Sequence, residues 1–252
     1  MSPAGRIAAF FDLDGTLLAP PSLERRFVRY LLQRGALGPA QAFRWAAQFL
    51  RFVVRDFAAA ALANKSHLAG VPLRLVLGWA ASLKCKALPF YEEGLLRVRW
   101  HAGQGHRIYL VSGTLAPLAR IVAAQFPVPV EICATELDSA RGCWTGELAD
   151  NWVSGEAKAR AVARIALENG FDLFECFAYG DRMTDAAMLQ LVGHPVAINP
   201  SLPLERLAVQ RGWPALKWHK TTPTPENRRS MLISVRRPAA PRLSLAPGRR
   251  GQ

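Results

Sequence analysis

Two kinds of hydrophobic pattern divide the chain. Short apolar runs typical of buried strands occur in IAAFF (residues 7–11) and, after residue 106, in RIYLVSG, VPVEICAT, LFECFAYGD and HPVAINP. Between Ser22 and about Gly103 the apolar residues follow a helical period instead. Helices are predicted there at 22–34, 41–57, 73–86 and 91–102, with Gly and Pro residues at the joints.

After residue 106 the predicted strands alternate with predicted helices. The helices are LAPLARIVAAQF, GEAKARAVARIALENG, TDAAMLQLV and LPLERLAVQRG, and ELDSARGCWTGEL is typical of a β-hairpin. This alternation predicts an α/β fold with a Rossmann-like, doubly wound parallel sheet. We expect residues 1–18 and 104–218 to form that core, residues 19–103 to form an inserted all-helical cap, and residues 219–252 to form a tail.

The formal net charge of the 252-residue chain is +13, and it is unevenly distributed. Residues 19–100 hold thirteen Lys and Arg against four Asp and Glu, residues 217–252 hold nine against one, and the remainder is mildly acidic. A protein that binds nucleic acid specifically would carry the positive charge around its site, so we expect no specific nucleic-acid partner. The Pro- and Arg-rich tail lacks apolar periodicity and is predicted to be disordered.

The sequence also bears on location. No apolar run reaches the roughly 18 uncharged residues of a membrane-spanning helix, and the N-terminal run is not followed by a small-residue cleavage site. We therefore expect a cytoplasmic protein. Its cysteines (Cys85, Cys133, Cys143 and Cys176) show no CxxC spacing and are expected to be reduced, including the pair that flanks the predicted hairpin.

The predicted helix at 41–57 leaves two interpretations open. Its apolar arc includes Phe43, Trp45 and Leu50, and arginines lie on the narrow polar side. Such an arc can be buried in a helical bundle, or it can lie on an anionic membrane. A weak membrane contact through the cap or the tail therefore stays open. Likewise, Arg25, Arg26 and Arg29 on the first cap helix either attract anionic substrates or form a solvated face.

Polar residues follow the predicted strands at four places. They are the pair Asp12 and Asp14, the turn Ser112-Gly113, Lys158 one turn into a helix, and Asp181 with Asp185. The carboxyl ends of parallel strands meet at one edge of a sheet, so these clusters are expected to converge. Two neighbouring carboxylates at a strand end are unfavourable unless a cation or hydrogen bonds stabilise them. Together these clusters predict an acidic active site.

In their order and spacing, the stretches DLDGT (12–16), LVSGT (110–114), Lys158 and GDRMTD (180–185) resemble the haloacid dehalogenase-like phosphatases. The position of the cap, of the C1 type, is similar to that of their subfamily IB, which includes the phosphoserine phosphatases. The resemblance spans about residues 5–216. It implies a Mg²⁺-dependent phosphatase that acts on a small phosphorylated metabolite through an aspartyl-phosphate.

The resemblance also implies a role for each residue. Asp12 would be the nucleophile and a ligand of Mg²⁺, and Asp14 would act as the acid and base and bind the metal through its backbone carbonyl. Asp181 and Asp185 would complete the metal site. Ser112, Gly113 and Lys158 would bind the phosphoryl oxygens, and Lys158 would also balance the charge of Asp12.

Two positions depart from that pattern. Residue 182 is Arg where this branch more often has a small residue, and we expect its side chain to point to solvent. Phosphoserine phosphatases carry a glutamate near the position of Pro21, whereas this chain has Glu24 three residues later, which makes phosphoserine a doubtful substrate. A lipid phosphate substrate at a membrane, or a non-catalytic binding protein with the same fold, are the alternatives.

Overall fold

The computed structural model describes residues 6–53, 64–83, 88–150 and 152–219. Almost all of the predicted tail, the end of the second predicted cap helix and Cys85 lie outside these residues. No helix within the described ranges is long and apolar enough to cross a membrane.

Six of the described strands form one parallel sheet. They are β1 (Ala8–Phe11), β2 (Arg107–Leu115), β3 (Glu131–Thr135), β6 (Phe177–Gly180), β7 (His194–Ile198) and β8 (Ala215–Leu216), in the spatial order β3-β2-β1-β6-β7-β8. The predicted first motif lies at the end of the central strand β1, between the ends of β2 and β6. The sheet thus gathers three of the four predicted clusters at neighbouring strand ends.

Apolar side chains of β1 point alternately to the two faces of the sheet. Ala8 and Phe10 pack in one buried cluster, and Ala9 and Phe11 pack in the other. The first cluster is covered by α6 (Glu156–Asn169), α7 (Ala186–Gln190) and α8 (Leu202–Arg211), and the second by α4 (Glu92–Gly103) and α5 (Ala116–Ala123). Helices on both faces confirm the predicted doubly wound α/β fold.

The inserted segment holds helices α1 (Leu23–Gln33), α2 (Pro39–Val53) and α3 (Arg74–Leu83), with a 3₁₀ turn at Ser66–Leu68. Helix α1 is capped by Ser22, whose side-chain oxygen accepts a hydrogen bond from the amide of Arg25. Buried residues of α1 and α3, Phe27 and Trp79, meet edge to face at 5.5 Å between ring centroids.

Helix α4 lies within the predicted cap range but packs against the sheet. His101 is fully buried, its Nε2 atom lies 2.9 Å from the Tyr179 hydroxyl of β6, and its Nδ1 atom lies 2.8 Å from Nδ1 of His106. These contacts tie α4 to the core rather than to the other inserted helices. We therefore propose that the cap ends before residue 92, earlier than the predicted boundary at 103.

The predicted hairpin forms as β4 (Leu137–Ala140) and β5 (Cys143–Leu148) and packs against the cap. Its Trp144 ring lies edge to face with Phe27 of α1 at 5.9 Å, and the Trp144 amide donates to the carbonyl of Val71. The cap is thus held from two sides, by the strand ends below it and by the hairpin. Among the described cysteines, Cys133, Cys143 and Cys176 are free thiols.

Helix α2 exposes part of the apolar arc for which burial was one interpretation. Phe43 is 74% exposed and Leu50 is 67% exposed, and Ala46 and Ala47 between them are also exposed. These four residues, at positions i, i+3, i+4 and i+7, share one face of the helix. Burial is therefore wrong for Phe43 and Leu50, although α2 does contact the 3₁₀ turn at Ser66–Leu68.

Candidate active site

Lys158 connects the first and fourth predicted clusters. Its ammonium nitrogen lies 2.5 Å from Oδ1 of Asp12 and 2.6 Å from Oδ1 of Asp185, and the lysine is 2% exposed. The loop before α6 places it there, since the amide of Gly155 donates to the carbonyl of Thr184 beside the fourth cluster. Although burial lowers the Lys158 pKa, the two carboxylates raise it above its ordinary value, so the side chain stays charged.

Asp185 is held rigidly by three donors. Besides the lysine on Oδ1, its Oδ2 atom accepts hydrogen bonds of 3.0 Å from the amides of Asp181 and Arg182. The close turn needs Gly180, because a Cβ atom there would lie 2.5 Å from Cβ of Asp185. The fourth cluster is thus locked by its own backbone.

Three buried carboxylates face one ammonium. Oxygen atoms of Asp12, Asp181 and Asp185 lie within 4.8 Å of one another. Burial, together with the neighbouring carboxylates, raises the pKa of Asp181 to about 8, and burial raises the pKa of Asp12 to about 7 against the opposing effect of Lys158. One lysine cannot compensate three ionised carboxylates in a buried site, so the ionised cluster needs further positive charge.

The donor set fits a divalent cation. Carboxylate oxygens are the ligands that Mg²⁺ prefers in proteins, and this cluster needs the charge that such an ion carries. Glycine at position 15 leaves room for the Asp181 carboxylate, because a Cβ atom there would lie 2.1 Å from Oδ2 of Asp181. Asp12, Asp181 and Asp185 are the side chains that would hold the ion.

Asp14 points away from this cluster. Its Oδ1 atom accepts a hydrogen bond of 2.7 Å from the amide of Leu23, and its Oδ2 atom accepts one of 2.5 Å from the hydroxyl of Thr114. Burial raises the Asp14 pKa above its ordinary value, although both hydrogen bonds oppose the shift. Both Asp14 oxygens are thus held by hydrogen bonds, and the raised pKa favours the protonated form. A carboxyl group in this state is suited to donate a proton and later to accept one.

The second predicted cluster lies at the end of β2, on the wall of the same cavity. Ser112 is buried, and its hydroxyl oxygen accepts a hydrogen bond of 3.3 Å from the amide of Thr114. Gly113 follows at the cavity wall. The structure thus brings together all seven predicted residues (Asp12, Asp14, Ser112, Gly113, Lys158, Asp181 and Asp185) around one cavity of about 260 Å³.

The outer part of this cavity is formed by the cap. It is lined by Pro20, Pro21, Ser22 and Arg25. It is also lined by Glu24 and Lys65, which form an ion pair with 2.6 Å between Oε2 and Nζ. Lys65 is 4% exposed, so this is a largely buried pair. Arg26 instead turns back to the chain and donates to the carbonyls of Ala19 and Pro21.

Arg182 extends from the fourth cluster to the surface. Its side chain is 64% exposed, as predicted, and Nε also lies 3.4 Å from Oδ2 of Asp181. The long distance and the exposure make this a weak ion pair.

A larger cavity, of about 520 Å³, lies between β3 and α6 and includes none of the predicted residues. We place the chemistry in the smaller cavity because the buried carboxylates and the lysine converge there.

A parallel sheet with an inserted helical segment, together with a buried cluster of aspartates and a lysine at the strand ends, is the arrangement of a capped α/β enzyme. The family described as haloacid dehalogenase-like hydrolase matches residues 9–190, and the chain belongs to this family. The predicted family, fold and hydrolase class are therefore confirmed.

Individual proteins that are similar to this chain support its assignment to this family. A Mycobacterium tuberculosis protein named phosphoserine phosphatase SerB1 is 32% identical over 222 residues, which cover 82% of this chain and 69% of the relative. A solved Bordetella pertussis protein of unknown function is 26% identical with a TM-score of 0.69, covering 84% of this chain and 98% of its own. A probable phosphoserine phosphatase from Vibrio cholerae shares the fold, with a TM-score of 0.61, 15% identity, and coverage of 90% of this chain and 65% of its own.

Several residues of the cavity had no predicted role, among them Thr114, Lys65 and Trp152. Thr114 is within the quoted second motif, and its contact with Asp14 follows from the neighbouring strand ends. Lys65 and Trp152 carry no sequence signal, because each reaches the cavity through the packing of a loop. Their contribution could be found only from the folded chain.

Proposed function

We propose that this hydrolase is a Mg²⁺-dependent phosphatase that cleaves the monoester of a small phosphorylated metabolite through an aspartyl-phosphate on Asp12. The observation that carries the proposal is the buried contact of Lys158 with Asp12 and Asp185 beside a third carboxylate. A bound Mg²⁺ would supply the positive charge that lets an anionic carboxylate approach a phosphate dianion.

The first step forms the bond between Asp12 and phosphorus. A carboxylate oxygen of Asp12 attacks phosphorus, the bond to the leaving oxygen breaks, and that oxygen takes a proton from Asp14. Lys158 holds Asp12 in place, and the hydroxyl of Ser112 and the amide of Gly113 donate to the transferred phosphoryl oxygens. Asp14 is suited to give the proton because burial raises its pKa.

The second step releases inorganic phosphate. Asp14, now ionised, takes a proton from water, the water oxygen attacks phosphorus, and the bond to Asp12 breaks. The two steps restore Asp12 as a carboxylate and Asp14 as an acid. The hydrogen bonds from Leu23 and Thr114 keep the Asp14 carboxyl group in one orientation through both steps.

The size and charge of the cavity favour a small leaving group. About 260 Å³ must hold both the phosphoryl group and the alcohol that leaves. Glu24 lies in the cavity wall three positions after the glutamate expected near residue 21, and its Oε2 atom already accepts a hydrogen bond from Lys65. We therefore do not assign phosphoserine as the substrate, although a relative is named for it.

Phosphate release from p-nitrophenyl phosphate tests the proposal. With Mg²⁺, the wild type should release phosphate, and Asp12→Asn should lower kcat at least about a thousandfold because the nucleophile is lost. Asp138→Asn, which removes an exposed acid on the hairpin, is the matched control and should retain the wild-type rate. A wild type that binds phosphate without turnover would favour the non-catalytic alternative, and equal rates for wild type and Asp12→Asn would refute the assignment.

A second candidate, hydrolysis of a membrane-bound lipid phosphate, is favoured by the exposed stripe of Phe43, Ala46, Ala47 and Leu50 on a cationic cap. Exposed apolar side chains beside basic groups suit the surface of an anionic bilayer. Co-sedimentation with vesicles of phosphatidic acid and phosphatidylcholine is the test. Salt-sensitive binding that Phe43→Ser with Leu50→Ser abolishes would support this candidate, and absence of binding would remove it.

A further inference from the structure

Trp152 lies in the loop that leads into α6. The amide of the next residue, Val153, donates to the hydroxyl of Thr135 at 3.2 Å, and the amide of Ser154 donates to the carbonyl of Trp152 at 2.9 Å. Gly155 is held in turn by the carbonyl of Thr184. The backbone that follows Trp152 is therefore anchored to the end of β3 and to the fourth cluster.

The indole is in close contact with the second cluster. A Cβ atom on Gly113 would lie 2.9 Å from the indole nitrogen Nε1 of Trp152 and 3.4 Å from the carbonyl oxygen of Val153. Only a glycine at position 113 allows the indole N–H to come so near the backbone of the strand end. Trp152 and Gly113 line the same cavity as Asp12 and Lys158.

Trp152 is half-buried and lines the cavity, and within residues 6–53, 64–83, 88–150 and 152–219 its indole N–H makes no side-chain hydrogen bond. An indole nitrogen can only donate, and a tryptophan in a partly buried place usually directs this donor to an acceptor. A polar donor that faces a cavity without a protein acceptor is available to a ligand that brings one.

We propose that Trp152 is a further substrate-binding residue, whose indole N–H donates a hydrogen bond to a phosphoryl oxygen next to the amide of Gly113. A phosphate dianion offers several acceptor positions, and the lysine in this site already donates to two carboxylates. An additional neutral donor would therefore bind the phosphoryl group without adding charge. This inference rests on the proposed phosphatase function and adds a donor that the family's motifs do not supply.

The experiment follows the indole N–H directly. The chain has seven tryptophans, so labelling them with ¹⁵N gives a small set of indole resonances, and the one missing from Trp152→Phe belongs to Trp152. Saturating inorganic phosphate with Mg²⁺ should move that proton resonance downfield, as expected for a new bond to an anion. Should the Phe variant fail to fold, Trp152→Tyr gives the same assignment.

Phosphate affinity measured by calorimetry completes the test. Trp152→Phe keeps an aromatic ring but removes the donor, and it should weaken inorganic phosphate binding about tenfold, the loss of one hydrogen bond to a charged group. Trp213→Phe is the matched control, since Trp213 packs against the buried cluster that α6 covers and should leave the affinity unchanged.

The outcomes separate this inference from the proposed function. If the wild type binds phosphate and turns over a phosphomonoester while the Trp152 resonance stays in place and Trp152→Phe binds phosphate as tightly as wild type, only the role of Trp152 is refuted. If the wild type neither binds phosphate nor releases it from any ester, both proposals fall.

Discussion

The ammonium nitrogen of Lys158 lies 2.5 Å from Oδ1 of Asp12, across 146 residues of sequence. The same nitrogen contacts Asp185 at 2.6 Å, so a single buried cation links the end of the central strand to the fourth motif. This contact orients the proposed nucleophile and supplies part of the charge that three neighbouring carboxylates need.

Replacing Lys158 by Met should destabilise the protein. Removal of one partner from a buried ion pair leaves uncompensated charge, and we expect the free energy of unfolding to fall by about 3 kcal/mol at pH 8 in EDTA. Urea denaturation measures the change. Lys217→Met, which alters an exposed lysine, is the control and should change stability little. A loss as small as that of the control would contradict the structural role of the contact.

Mg²⁺ should stabilise the folded chain through the three carboxylates. At a hundred times its Kd, a ligand that binds only the folded state adds about 2.7 kcal/mol to the free energy of unfolding. For a chain of this size that corresponds to an increase in Tm of roughly 5–10 °C. Thermal melts with Mg²⁺ and with EDTA measure it.

Asp181→Asn should remove most of this Mg²⁺-dependent increase, because Asp181 is one of the three side chains that would hold the ion. Asp138→Asn on the hairpin should retain it. An Asp181→Asn protein that gained as much stability from Mg²⁺ as wild type would place the ion elsewhere.

The Glu24 and Lys65 pair should behave as a unit in the cap. Lys65→Met leaves the Glu24 carboxylate without its partner and should cost about 3 kcal/mol, because both groups are largely removed from water. The double variant Glu24→Leu with Lys65→Met should recover much of that loss, since no unpaired charge remains. A double-mutant cycle in urea checks this coupling, and strictly additive effects would show that the two groups act independently.

Acid should destabilise the protein through His101. Burial, with His106 and Arg97 nearby, lowers the His101 pKa to about 2, whereas the unfolded value is about 6.5. The unfolded state therefore binds more protons below pH 6.5, and the free energy of unfolding falls as the pH decreases through that range. Half-buried His67, whose pKa is lowered to about 4 by burial and by nearby Lys65, adds to this slope.

Comparison with His101→Gln isolates that residue. Between pH 6.5 and 5.5, wild type should lose about 1 kcal/mol more stability than the variant, as followed by urea denaturation at both pH values. His194→Gln, at an exposed position of β7, should keep the wild-type slope. Equal slopes for wild type and His101→Gln would show that His101 takes up its proton in the folded state.

Much of this fold could be predicted from local sequence. The period of the apolar residues identified most strands and most helices, although it missed β8, and Gly170 ends α6 in the left-handed conformation that a C-terminal glycine suggests. The site residues could be predicted because each of them lies at a strand end or in the first turns of a helix. Parallel strands bring such ends together whatever the details of packing.

Sequence periodicity could not assign α4 to a layer. Its apolar residues would suit either the cap or the sheet. The structure places α4 against the sheet, where the ring of His101 packs edge to face on Phe11 and Tyr179. The sequence could not predict the exposure of Phe43 and Leu50 either, because an apolar stripe has the same pattern whether or not another element packs on it.

The amino-acid sequence by itself determined the α/β alternation, the insertion after the first strand and the set of acidic, hydroxyl and ammonium groups at the strand ends. Only the tertiary structure decided that Lys65 pairs with Glu24 and that the indole of Trp152 approaches Gly113. The physical reason is range: hydrophobic period and turn chemistry act over a few residues, whereas these contacts join residues about 40 apart that meet only when loops are packed over the strand ends.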